Sequence, residues 1–534
     1  MGKKIPEDVK QTIADYKEQA TLPVDATNDI NEGLTPYDVS AMPKTDYPQA
    51  DDPDGLNDAN QKLAATTPSW LDAYFIEKGP QHGHYIQLVR RFNEVALGNA
   101  IMEIDTLISF PVLPDGAIYQ PGTGSWRVFR TKNSGSEYLD SRVTEVVTPW
   151  GVYEDRQVSK TSRYVLRTVS QPNLHGNPFE ESDPAKVAFK NGTYNIDTGE
   201  IEGKSPDNYI LSAHNYDLDT SGTSTPEIES LLEEMLGDAA TFFMEWIGYG
   251  FYRSYNIFNY MVFILGAGGE GKSTLLRYIT QRIYGADNVA AVTPAELANP
   301  QLRFKPSELY GKDADIVADI GADFLRKPDT LKKLTGGDAL SAEFKGGQGF
   351  TFTSYAKLLF SANELPTFSD DSKGMQRRLI VLELQNGDTR GTDFWTRHNM
   401  DKVLAERSAF AYKCLRMFAD AKKRHKLLLT PQMEAASNEW IKANDHFGQF
   451  LDEACEIGTA IAGGESSQVV TTEYAAFCRQ NNYSDKTTTQ TITNKLKARG
   501  VEKIKGTRGF DEQNNINRYM GLKLIKSFIS PSRI

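Results

Sequence analysis

The stretch Gly266-Ala267-Gly268-Gly269-Glu270-Gly271-Lys272-Ser273-Thr274 constrains this chain more than any other part of it. It has the form G-x-x-x-x-G-K-S. It follows Tyr260-Met261-Val262-Phe263-Ile264-Leu265, an apolar run that reads as a buried strand, and precedes Leu275-Leu276-Arg277-Tyr278-Ile279, which reads as the start of a helix. Strand, glycine-rich loop, Lys-Ser and helix in that register make a phosphate-binding loop. Its glycines let successive backbone N–H groups turn inward around a polyphosphate, and the helix N-terminus adds the positive end of its dipole. Lys272 is placed to reach the β- and γ-phosphates and the Ser273 hydroxyl to ligate Mg²⁺. The expected ligand is a nucleoside triphosphate, held by Gly266, Gly268, Gly269, Glu270, Gly271, Lys272, Ser273 and Thr274.

Four downstream features narrow the chemistry. Ala314-Asp315-Ile316-Val317-Ala318-Asp319-Ile320 reads as a second core strand ending in an acid. Asp319 there would hold Mg²⁺ through water and orient an attacking water, with Asp323 a second candidate. Leu331-Lys332-Lys333-Leu334-Thr335-Gly336-Gly337-Asp338 comes next. Two strand-like pieces, 340–344 and 350–353, then predict a hairpin tipped by Lys345. Lys357-Leu358-Leu359-Phe360-Ser361-Ala362-Asn363 is an apolar strand ending in an amide that can bond a γ-phosphate or a lytic water. Finally, Arg377 and Arg378 stand just before another apolar strand, 380–384, where an arginine could reach a neighbouring subunit's nucleotide.

Together, GAGGEGKST, ADIVADIG, KKLTGGD, KLLFSANELP and KGMQRRL resemble the superfamily-3 helicases of the phage, plasmid and poxvirus primase-helicase type. The resemblance runs from about Val187 to Leu384 and takes in VAFKNGTYNIDTGE and MEWIGYGF upstream. It implies a ring-forming AAA+ ATPase that uses ATP and Mg²⁺ to unwind replicating DNA. It implies Lys272 and Ser273 as Walker A, Asp319 as Walker B, Asn363 as sensor 1, and Arg377 or Arg378 as the arginine finger. Lys345 falls where the family's pore hairpin grips single-stranded DNA. Many relatives carry two adjacent acids, or a Glu, at Walker B. Here Ile320-Gly321-Ala322 follows Asp319, so the resemblance does not assign the water-activating acid.

The expected fold is α/β: an AAA+ P-loop core with a parallel sheet over 226–394, with a helical lead-in at 226–255. An α+β helicase-associated domain (71–225) precedes it, and a helical segment and linker (395–467) and a winged-helix-like basic module (468–534) follow. Residues 1–70 read as an acidic, loosely attached arm, with order beginning near Trp70. The net charge of −12 is unevenly spread: residues 1–60 hold five lysines against thirteen acids, and 485–534 hold eleven basic residues against four acids. Such a basic end suits a local nucleic-acid contact and equally an ordinary solvated surface. A capped helix ending at Gly500, then strands at 501–505 and 519–525, would bring Lys495, Lys497, Arg499, Lys503, Lys505 and Arg508 to phosphates; the same module used for protein contact is the other reading. Expected partners are single-stranded and forked DNA, further copies in a hexamer, and a separate primase, polymerase or single-strand-binding protein.

No apolar run approaches the roughly 18 residues that span a bilayer, and three scattered cysteines form no disulfide framework, which together suit the cytoplasm, that of a bacterial host if a mobile element encodes the chain. Two rivals share the motifs. A bifunctional primase-helicase needs clustered acids, and the nearest pair is Glu103 and Asp105 in a strand-like run at 100–107. An origin-binding initiator would use ATP only to assemble. His82 and His84 alone do not close a zinc site.

Overall fold

The computed structural model describes residues 52–529 except 79–84, 130–133, 175, 324, 326–327, 344–348, 369–372, 462, 482, 484, 486 and 506–515. The arm up to residue 51, His82, His84, Lys345 and Arg508 lie outside the described residues.

Order begins earlier than Trp70. Helix α1 (Pro53–Thr66) starts on an Asp52 cap with proline at its first turn, a local signal that outweighs the polar composition. Asn60 exchanges two hydrogen bonds with the Phe75 backbone, of 2.6 and 3.1 Å, and so joins α1 to the hairpin of β1 (Leu71–Lys78) and β2 (Tyr85–Phe92). The strand expected around Glu103 is instead helix α2 (Glu94–Ile104). Asn93 caps it, and Leu97 and Ile101, four apart, share its buried face. Asp105 closes its C-terminus and is ion-paired at 2.9 Å to buried Arg142.

Strands β3 (Leu107–Phe110), β4 (Leu113–Gln120) and β5 (Ser125–Val128) form an antiparallel sheet, followed by helices α3 (Ser134–Val147) and α4 (Asp155–Thr168). A second small sheet, in the order β8-β7-β6-β9, contains the hairpin of β6 (Lys186–Phe189) and β7 (Gly192–Asn195), flanked by β8 (Ile201–Glu202) and β9 (Ala213–His214). Helices α5 (Pro226–Leu236) and α6 (Ala240–Gly250) lead into the core.

The core is a five-stranded parallel sheet in the order β11-β12-β15-β10-β16. Its strands are β10 (Met261–Leu265), β11 (Val289–Ala290), β12 (Ala314–Ile320), β15 (Lys357–Ala362) and β16 (Leu379–Glu383). Helix α7 (Lys272–Tyr278) follows β10, and α8 (Asp329–Gly336) precedes the expected hairpin, β13 (Ala339–Glu343) with β14 (Gly349–Thr353). Every residue of β15 is buried, as a central parallel strand covered on both faces requires.

Part of what covers those faces comes from outside 226–394. Val262 and Ile264 pack in one cluster with Val187, Phe189 and Tyr194 and with Phe410 and Phe418 of α9 (Arg407–Lys423). Met261 and Phe263 face a second cluster holding Phe110, Trp126 and Trp440, the last from α10 (Pro431–Asn444). Polar bonds cross the same boundary: Tyr216 Oη donates to the Ile283 carbonyl at 2.9 Å and Ser212 Oγ to Asp313 at 2.7 Å. The C-terminal module has its own core around Phe450, Tyr474, Phe477 and Leu496. It runs α11 (His446–Ala454), β17 (Cys455–Ile457), β18 (Gly464–Ser466), α12 (Ser467–Gln480), α13 (Thr489–Ala498), β19 (Lys503–Ile504), β20 (Arg518–Met520) and β21 (Leu522–Leu524). The end of the stretch expected as a helical segment and linker (395–467) thus contributes β18, which pairs with β20.

Among the described residues Asp315, buried in β12, accepts one hydrogen bond, from the Val292 N–H at 2.8 Å, and burial pushes its carboxyl up to about 8. A folded value above the ordinary 3.8 contributes stability that is complete below about pH 4 and is lost as pH rises through about 8. Asp315→Asn removes that dependence. Thermal denaturation of both proteins at several pH values should show the difference in melting temperature moving in the variant's favour between about pH 4 and pH 8. A pH-independent difference would exclude Asp315 as the source.

Candidate functional site

The loop between β10 and α7 folds as its glycines dictate. Gly269 and Gly271 sit at φ of +97° and +89°, where side chains are disfavoured. A Cβ on Gly271 would also come within 2.8 Å of the Trp395 ring. The loop opens onto a cleft of about 340 Å³ lined by Gly268 to Thr274, Asp319, Ser361, Asn363, Thr389, Arg390 and Trp395. Lys272 is buried there. Its Nζ donates to the carbonyls of Gly266 (2.5 Å) and Ala267 (2.6 Å) and to Asn363 Oδ1 (2.9 Å). Ser273 is exposed to the cleft beside it. Glu270 turns back beneath the loop: burial raises its carboxyl pKa, and Lys272 at 3.8 Å opposes the rise.

Asp319 reaches the cleft by a device the strand pattern does not announce. The register between β12 and β15 shifts between Val317 and Ile320, and Asp319 takes a left-handed φ of +69°. A bulge of this kind re-aims a side chain at the end of a strand. Ser361 of β15 holds the turn, its Oγ accepting the Asp319 N–H at 3.1 Å. Ser361→Ala should therefore lower turnover about tenfold with little change in nucleotide affinity, the size expected for one lost positioning bond. Steady-state kinetics with a binding titration would test it; an unchanged kcat would remove Ser361 from the site's geometry.

A strut that the local sequence does not signal supports the loop. After β16, Asn386 donates to the Glu270 carbonyl at 3.0 Å, and Thr389 donates to the Gly269 carbonyl through its N–H (2.9 Å) and its hydroxyl (2.7 Å). Trp395 Nε1 in turn donates to Thr389 Oγ1 at 3.1 Å. Nothing in the local pattern of these residues signals a contact over 100 positions away.

The two arginines part company. Arg377 is exposed. Arg378 is buried and spent within its own chain, donating to Thr335 Oγ1 at 3.0 Å and to the Gly374 carbonyl. Both of these partners lie within its own chain. Among the C-terminal residues, Lys497, Lys503 and Lys505 are exposed. Lys495 instead lies over the Phe447 ring and 3.7 Å from Asp485, and Arg499 is ion-paired to Asp445 at 2.7 Å, so neither is presented freely to a phosphate. Asp105 is likewise committed, to Arg142. No group of three or more His, Cys, Asp or Glu suited to a metal occurs among the described residues, and no helix among them is long and apolar enough to cross a membrane.

Residues 114–237 match the family described as D5 N terminal like, and residues 264–378 match DUF5906, a family of unknown function. The first match runs from β4 through α5 and the second from the end of β10 to the arginine pair. Among solved structures, the apo C-terminal region of NrS-1 is similar over 81% of this chain and 100% of that chain, at 13% identity and a TM-score of 0.41. A ligand-bound JCV helicase is similar over 42% of this chain and 62% of that one, at 12% identity and a TM-score of 0.26. At such scores these likenesses carry no reading of the cleft.

Proposed function

We propose that this chain, which is of the superfamily-3 primase-helicase type, is an ATP-hydrolysing DNA helicase that acts as a ring in the replication of a phage or other mobile element. The observation that carries the reading is the meeting of Lys272, Ser273, Asp319 and Asn363 on one cleft, with Lys272 bonded to Asn363. That is the equipment of an NTPase, and KKLTGGD, SANELP and RRL around it are the helicase signature.

The residues fit MgATP by their chemistry. The carbonyls that now occupy Lys272 Nζ are exchangeable for phosphate oxygens, and loop N–H groups flank them. Ser273 and Asp319 would hold the metal, which would neutralise charge developing on the phosphates. Asn363 would orient the attacking water from β15. Arg377, exposed before β16, is the finger offered to the next subunit of a hexamer. The β13–β14 hairpin, with Lys345 between its strands in the sequence, would hold single-stranded DNA in the pore. In this reading the sheet is an AAA+ core, and the C-terminal module is winged-helix-like, touching DNA through Lys497, Lys503 and Lys505. Asp105, one of the two acids considered for priming, is committed to Arg142, which disfavours primer synthesis by that pair.

The test is ATP-driven displacement of a labelled strand from forked DNA, with Lys272→Ala as control. Displacement by wild type alone establishes the helicase, and reversing the tail gives its polarity. Hydrolysis without displacement, together with a sequence-specific footprint, would replace it with the initiator reading.

A further inference from the structure

The order of the sheet gives the cleft a direction. The P-loop strand β10 lies between β15 and β16. Asp319 and Asn363 leave β12 and β15 on one side of it, and Thr389, Arg390 and Trp395 follow β16 on the other. A triphosphate whose terminal phosphate and metal sit at the Asp319–Asn363 end must send its nucleoside toward the β16 end.

Trp395 stands at that end. Its ring is half-buried and lines the cleft. It is held by its Nε1 bond to Thr389 Oγ1, by an edge contact with Phe394 at 4.9 Å and 80°, and by packing against the main buried cluster, and Thr389 in turn bonds the Gly269 carbonyl. The indole is thus fixed relative to the same loop that holds the phosphates. A buttress alone would need only Thr389. A fixed, half-buried aromatic ring that lines the cleft beside a phosphate cradle has the character of a stacking surface.

We infer that the Trp395 indole is the platform on which the nucleobase of the bound nucleotide stacks, with Thr389 as the residue that positions it. The inference rests on the nucleotide-binding reading above. Stacking uses the π-face that every base has, so this contact supplies affinity with little base selectivity.

Calorimetric titration of the full chain with two probes, MgATP and magnesium tripolyphosphate, separates the base from the phosphates. Trp395→Ala should weaken ATP about tenfold and tripolyphosphate by less than about twofold, while Trp395→Phe keeps most of the ATP affinity. In the wild type, tryptophan emission should change with ATP and not with tripolyphosphate, and that change should vanish in Trp395→Phe. Equal weakening of both probes by Trp395→Ala would overturn the proposal and make the ring a support of the loop. An unchanged ATP affinity would also overturn it. A wild type that binds neither probe would overturn the nucleotide reading and this inference with it.

Discussion

Lys272→Ala should lower the rate of ATP hydrolysis by a factor on the order of 10²–10³ and abolish strand displacement, leaving the fold intact. The ammonium is held in the cleft between two loop carbonyls and Asn363, while the other cation lining it, Arg390, is ion-paired to Asp388. A triphosphate brings dense negative charge to that point, and the charge grows on the oxygens Lys272 would contact as the γ-phosphoryl transfers. Alanine removes the charge and leaves Asn363 without its partner. Arginine should not restore activity, because a planar guanidinium does not fit a site built around a point charge. Turnover and nucleotide affinity, measured beside a melting curve, test the claim. A variant that keeps its melting temperature and hydrolyses within about threefold of wild type would sink the assignment of the cleft.

The second large effect separates the two arginines. Arg377→Ala should reduce turnover on the order of 10³-fold while sparing ATP binding, the usual scale for an arginine finger. Arg378→Ala should act first on stability, losing charged hydrogen bonds to Thr335 and Gly374 worth about 1.5–3 kcal/mol. If Arg377 serves the neighbouring subunit, mixing Arg377→Ala with Lys272→Ala should regain activity, because some interfaces then combine an intact loop with an intact finger. Failure at every ratio would place Arg377 in its own subunit's chemistry or outside it. Arg378→Ala that melts like wild type yet is inactive would restore Arg378 as the finger.

How much of this was legible beforehand follows from the range of the interactions. The P-loop and the strands β10, β12, β15 and β16 were read from contiguous patterns, because a parallel strand buried on both faces must be apolar along its length. Asn363 was found for the same reason, as the first polar residue after such a run. The bulge at Asp319 was not, since it depends on Ser361 of the neighbouring strand. The Asn386–Thr389–Trp395 strut and the inward turn of Arg378 are decided by partners distant in sequence. The basic count of the C-terminus overstated its free charge, because Asp485 and Asp445, at or beyond the edge of the segment counted, engage Lys495 and Arg499. Helix α2 was mistaken for a strand because two acids flanking an isoleucine fit either period, and the Asn93 cap that decides it lies ten residues upstream of Glu103.

The shared core across residue 225 has a bearing on how such a protein can evolve. A crossover between genes at that point would part Tyr216 from Ile283 and Ser212 from Asp313, and would strip Val187, Phe189 and Tyr194 from the sheet they cover. The five-stranded core is thus not a cassette that recombination can trade between genes on its own. It is inherited with the segment before it, and the two must drift together, each substitution on one side judged by what it meets on the other.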